Sequence, residues 1–130
     1  MHHTATKGNI GVAKAIADLM LKGWDVSIPF CATSPFDLVA YRNGKFVRVQ
    51  VKYRTPSKGV IDVRCMRHSN ANGKAKQSSN DEADVVCVYD AAGDKCYYVL
   101  ASMCPIALRL RPTRNGQKKN VWSADAFLDF

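Results

Sequence analysis

Acidic side chains are scarce in this sequence. Eleven aspartates and glutamates stand against 19 lysines and arginines, a formal net charge of +8, and Glu82 is the only glutamate. Such a balance points to an anionic partner, nucleic acid before an acidic membrane. No apolar run approaches the roughly 18 residues of a membrane-spanning helix, so no membrane partner is expected. The opening "MHHTATKGN" lacks the apolar stretch of a secretory leader. A cytoplasmic setting is therefore expected, in a prokaryotic or phage-infected cell. His2 and His3 are assigned no metal. The five cysteines, at 31, 65, 87, 96 and 104, show no Cys-x-x-Cys or finger spacing and read as buried reduced thiols, with a zinc site or a disulfide frame as the alternatives. No internal repeat or low-complexity block is present.

What is there suits one folded domain over residues 1–130. Hydrophobic residues make up 47% of the chain, enough for a real core. Residues 9–22, "NIGVAKAIADLMLK", have helical periodicity, with Lys14, Asp18 and Lys22 as a narrow polar stripe. Ile10, Ala13, Ile16, Ala17, Met20 and Leu21 form a broad apolar face, which predicts a mostly buried helix. Asn9 is its expected N-cap and Gly23 its stop. Strands are expected over 24–30, 36–42, 45–54, 59–67, 83–90 and 95–101, with Pro29 marking a strand end or edge. "ADVVCVYD" is the one that reads as covered on both faces. Residues 69–80 and the basic stretch 109–119 read as loops, and "SADAFLDF" as a short helix capped by Ser123. The predicted class is α/β, with a mixed central sheet flanked by helices.

Positive charge gathers in two places. Arg54, Lys58, Arg64, Arg67, Lys74 and Lys76 fall within 54–76 against one acid, Asp62. Arg109, Arg111, Arg114, Lys118 and Lys119 fall within 109–119 against none. Solvated surface alone would explain either cluster, but two in so short a chain favour phosphate contacts and salt-dependent binding. Arg64, Arg67 and His68 leave a strand and are candidates for base edges. Lys118 and Lys119 are candidates for phosphates.

The segment 34–54, "SPFDLVAYRNGKFVRVQVKYR", reads as a hairpin turned by Asn43-Gly44. On its second strand Val47, Val49, Val51 and Tyr53 share one face, and Arg48, Gln50, Lys52 and Arg54 the other. Asp37 lies six residues before the turn and Gln50 six after it, so the two are expected to face each other about 5 Å apart, with Lys52 one pleat further. A solvated face would also alternate this way. A carboxylate, an amide oxygen and an amine converging beside two strands nonetheless suit a hard cation and a phosphate.

The order "GNIG" at 8–11, "SPFDL" at 34–38, "VQVK" at 49–52, "DKCYYV" at 94–99 and "PTRNGQKK" at 112–119 resembles the PD-(D/E)XK nucleases, and within them the small homing endonucleases associated with group I introns. The resemblance runs over nearly the whole length. It implies a restriction-endonuclease-like core and cleavage of double-stranded DNA with Mg2+ or Mn2+. Asp37 and Gln50 are implied as metal ligands and Lys52 as the motif lysine, in a homodimer or homotetramer. Gln50 stands where the superfamily motif has an acid. Val12 stands where relatives commonly carry a glutamate, which would leave Asp37 the sole carboxylate of the site. A junction resolvase or repair nuclease, a binding relative without catalysis, and an unrelated basic domain are the alternatives. Nicking of plasmid with Mg2+, and linear against branched DNA, separate them.

Overall fold

The computed structural model of the protein describes residues 3–64, 66–68, 75–77, 82–111 and 122–130, with 66–68 and 75–77 as backbone alone. Helix α1 is Thr4–Leu21. The strands are β1 Asp25–Ser27, β2 Leu38–Arg42, β3 Lys45–Arg54, β4 Val60–Val63, β5 Met66–His68, β6 Ala75–Gln77, β7 Val85–Asp90, β8 Lys95–Leu100, β9 Ile106–Arg109 and β10 Trp122–Ser123. Two 3-10 turns cover Ala101–Met103 and Ala124–Phe127. A five-stranded sheet has the order β1-β2-β3-β7-β8. β3 and β7 run parallel while the other neighbours run antiparallel, so the sheet is mixed as expected.

The faces of this sheet carry different covers. Leu38, Ala40, Val49, Val85, Cys87, Tyr89, Cys96 and Tyr98 pack under Ala15 and Leu19 of α1. On the other side Val86, Val88, Tyr97 and Val99 meet Ile61, Val63, Ile106, Leu108 and Ala124. That second cover is a small sheet, order β10-β9-β4, with the 3-10 turn after it. β7 sits between both covers, and every one of its residues is buried, as its continuous apolar run predicts.

α1 departs from expectation. It begins at Thr4, well before Asn9, and the residue at its N-cap, His3, makes no side-chain cap bond. Only Gly11, Ala15 and Leu19 are buried on it. Met20 and Leu21, expected inside, are 62% and 88% exposed. The helix lies on one sheet face, so a single stripe meets the core and the rest faces outward. Gly11 marks where the helix meets β3: a Cβ there would stand 3.4 Å from Val51 Cγ1 and 3.5 Å from Tyr53 Cβ, ordinary van der Waals contact. The stop at Gly23, with φ 88°, holds. Gly23 N–H donates to Met20 O and Trp24 N–H to Leu19 O, at 3.1 and 3.0 Å, the paired bonds of a Schellman end.

Other boundaries moved. The expected strand 59–67 is two pieces, β4 and β5, and β6 lies within the expected loop 69–80. Arg109 closes β9 instead of opening a loop. Ser123 makes no side-chain cap bond and belongs to β10, paired parallel to β9. Cys87 and Cys96 are buried thiols and Cys31 an exposed one, while Cys104 is disulfide-bonded, unlike the reduced state expected.

Distant parts of the chain meet in one stack. Phe130 lies between Trp24 and Tyr98, each ring centroid 4.7 Å away and nearly parallel. The Arg42 guanidinium covers Trp24 at 4.1 Å. Rings and cation together tie the end of α1, β2 and β8. Phe130→Ala is expected to cost about 2 kcal/mol, short of the roughly 3–5 kcal/mol for a fully buried ring. Denaturant unfolding monitored by circular dichroism checks it.

Candidate active site

The turn Asn43-Gly44 has φ of 52° and 80°, the positive pair that a two-residue hairpin needs. It sets β2 on β3 in the register Leu38↔Val49, Ala40↔Val47 and Arg42↔Lys45. Asp37 immediately precedes β2, where Pro35 restricts the approach. Its N–H donates to Val49 O at 2.9 Å. Its Oδ2 accepts from Val51 N–H at 2.8 Å. The aspartate thus grips β3 on both sides of Gln50, with its carboxylate where the next β2 carbonyl would have been. Its Oδ1 makes no hydrogen bond among the described residues.

Gln50 and Lys52 alternate to the face away from α1, like their registered neighbours Val86 and Val88. The sequence placed Asp37, Gln50 and Lys52 together; in the structure Asp37 is bonded to β3 on either side of Gln50, and its charge is felt at Lys52. Lys52 is half-buried. Burial holds its ammonium below the usual lysine range, the Arg54 charge pushes the same way, and Asp37 pulls back. Arg54 shares the face. Burial lowers it too, and its Nη1 donates to Tyr53 O at 2.9 Å. Arg48, on the same face, is engaged elsewhere. It forms a two-pronged pair with Asp84 at 2.9 and 3.1 Å, and hydrogen bonds from Arg48 hold the Asp84 carboxyl below its usual range. That pair joins β3 to the start of β7.

The remaining basic candidates are scattered. Arg64 is exposed and borders a cavity of about 380 Å3 with Asp62, Pro105 and Ile106. Arg109 is half-buried opposite Val60, its Nε without a partner among the described residues. Arg111 is exposed and lies over Gly59. Arg64 and Arg109 occupy opposite ends of the β4–β9 pair. Arg67, His68 and Lys76 lie on the β5–β6 hairpin, where Arg67 is registered with Lys76. Lys74, Arg114, Lys118 and Lys119 lie outside the described residues.

Sequence reasoning missed the wall of the site. A cavity of about 210 Å3 beside Asp37 is lined by Val12, Ile28, Pro29, Cys31, Ala32, Ser34 and Phe36. No periodicity marks these loop residues. The pairing of β1 with β2, Ser27↔Val39, brings them to Asp37.

The sequence profile of PD-(D/E)XK endonucleases matches residues 2–130. The chain belongs to the PD-(D/E)XK endonuclease family. Among solved structures it is similar to a bacterial homing endonuclease, I-Ssp6803I. Identity is 25% and the TM-score 0.70, with 91% of this chain and 84% of that chain covered. No curated protein matches it. The protein is a DNA endonuclease with an α/β fold of the PD-(D/E)XK kind. No helix in its described residues is long and apolar enough to cross a membrane.

Enzymes of this family generally use divalent metal ions. The donor set fits one: an open carboxylate oxygen on Asp37 and a neutral amide oxygen on Gln50 suit a hard cation that keeps most of its waters. Among the described residues no group of three or more His, Cys, Asp and Glu side chains converges, so a metal would depend on Asp37, water and substrate oxygens. Val12 packs against the core and also borders the cavity with Asp37. Val12→Glu therefore has room to stay hydrated. It is expected to tighten Mg2+ binding by the free endonuclease in calorimetric titration, with a modest loss of melting temperature.

Lys52 gives a second expectation. A lysine whose ammonium is easier to deprotonate folded than unfolded weighs against the fold at neutral pH, where it is charged. Stability then rises with pH from its lowered pKa toward the ordinary lysine value. Lys52→Met should melt above the parent at neutral pH, lose that alkaline rise, and lose most cleavage. Thermal melts across pH beside a cleavage assay read all three.

Proposed function

We propose that this endonuclease hydrolyses a phosphodiester bond at a specific site in double-stranded DNA, with Mg2+ or Mn2+, in the manner of intron homing. The observation that carries the reading is the clamp of Asp37 across Gln50, with Lys52 next on the strand. Asp37 Oδ1 and the Gln50 amide oxygen would hold the metal, which supplies an activated water and a counter-charge. Lys52 neutralises the charge that builds on the phosphate oxygens, and its partial burial strengthens that attraction. Arg54 continues the positive surface along β3. With one carboxylate against Lys52, the site carries almost no net charge, so DNA and metal are expected to bind cooperatively.

Homing is supported by the likeness to I-Ssp6803I. A single domain of this size reaches only part of a long target, which favours a homodimer or homotetramer on symmetric half-sites. Arg64, Arg67 and His68 would read bases, with Lys74, Lys76, Arg109, Arg111, Arg114, Lys118 and Lys119 on phosphates.

Asp37→Ala should bind DNA much as the parent does but cut it more than about 10²-fold more slowly, beyond what outer-shell changes cost. Plasmid nicking with Mg2+, alongside a filter-binding assay, tests it. Equal rates would remove Asp37 from the site. Preference for a four-way junction over linear duplex would replace homing with resolution.

A further inference from the structure

The nine residues from 28 to 36, "IPFCATSPF", carry no charge in a chain of net charge +8, yet they border the charged centre. Ile28 and Pro29 line the same cavity as Asp37. Phe30, next in sequence, is fully exposed, and Ile28 is largely so. Covering these two side chains with a partner would be favourable. The backbone that carries Phe30 is also constrained. β1 ends at Ser27, a turn closes by Ser34 N–H donating to Cys31 O at 3.2 Å, and Pro29 and Pro35 fix φ on either side of it.

Proximity selects the occupant. A second copy of the chain seated on Phe30 would compete with DNA for the ground beside Asp37. DNA engaged at Asp37 and Lys52 brings the flanking bases to the rim of the cavity, since successive nucleotides are stacked only about 3.4 Å apart. Apolar side chains pressed into a base step unstack it and bend the duplex, and a preformed loop does this with little ordering cost.

We infer that Phe30, which follows Ile28 and Pro29 in this loop, is a positioning residue that wedges against the base step beside the scissile phosphate and brings that phosphate to Asp37 and Lys52. The inference rests on the nuclease reading of the Asp37 site. It is tested with a duplex carrying a cut site mapped with the parent enzyme, 2-aminopurine placed beside the cut, and Ca2+ replacing Mg2+ to hold the complex. Binding of the parent should raise the fluorescence and binding of Phe30→Ala should not. In Mg2+ the variant should cut about 10²-fold more slowly, with its melting temperature unchanged, and Phe30→Trp should restore both signals. Equal fluorescence changes, or undiminished cleavage by Phe30→Ala, would overturn the inference while leaving the nuclease reading intact. So would a drop in sedimentation mass for Phe30→Ala with the fluorescence rise retained, which would assign Phe30 to a subunit interface. A parent that binds and cuts no DNA would overturn both readings.

Discussion

The register of β2 on β3 is the constraint on which the rest of this protein depends. Strand side chains alternate with period two, so a slip of one residue would move every core residue of β3 to the wrong face. The correct setting gives Val49 and Val51 to the core under α1 and leaves Gln50 and Lys52 on the opposite side. Two local devices hold it. Asn43 and Gly44 accept the left-handed backbone of the tight turn, and Asp37 bonds to β3 at Val49 and Val51. The residue proposed to hold the metal is thus also a fastener of the strand pair. That second bond comes from a backbone N–H, so a neutral donor orients the aspartate.

Around β3 the molecule adds further restraints on this strand. α1 comes down on Val51 and Tyr53 at Gly11. β7 locks the other edge by parallel pairing, with Arg48 and Asp84 joined where the pairing begins. That ion pair is partly exposed, so its geometry matters more than its energy. The stack of Arg42, Trp24, Phe130 and Tyr98 fastens residues far apart in sequence around the same sheet.

The electrostatic character is sparing. The proposed centre has one carboxylate, one amide and one half-buried cation, Lys52, with Arg54 beside it on the strand, and burial lowers both Lys52 and Arg54. A cation that is uncomfortable in the free protein gains most when an anionic phosphate arrives, because the partly dry setting that penalises it strengthens the new attraction. In the proposed mechanism, stability is in this sense set against function at Lys52.

Much was written in the sequence itself. Asn-Gly, the alternation of 45–54 and the apolar run of 85–90 are local signals. They gave β3 to the residue, the turn, the doubly covered strand and the spacing of Asp37, Gln50 and Lys52. The ordered motifs pointed to the family, which the profile match shows. Other features were decided only by the tertiary structure. Which stripe of α1 is buried depends on a sheet covering one side of it, so periodicity alone wrongly put Met20 and Leu21 inside. β9 and β10 are short, and the small sheet they build with β4 pairs residues far apart in sequence. The cavity joining Val12 and the 28–36 loop to Asp37 exists because β1 folds back on β2, a long-range pairing that no local pattern of side chains encodes.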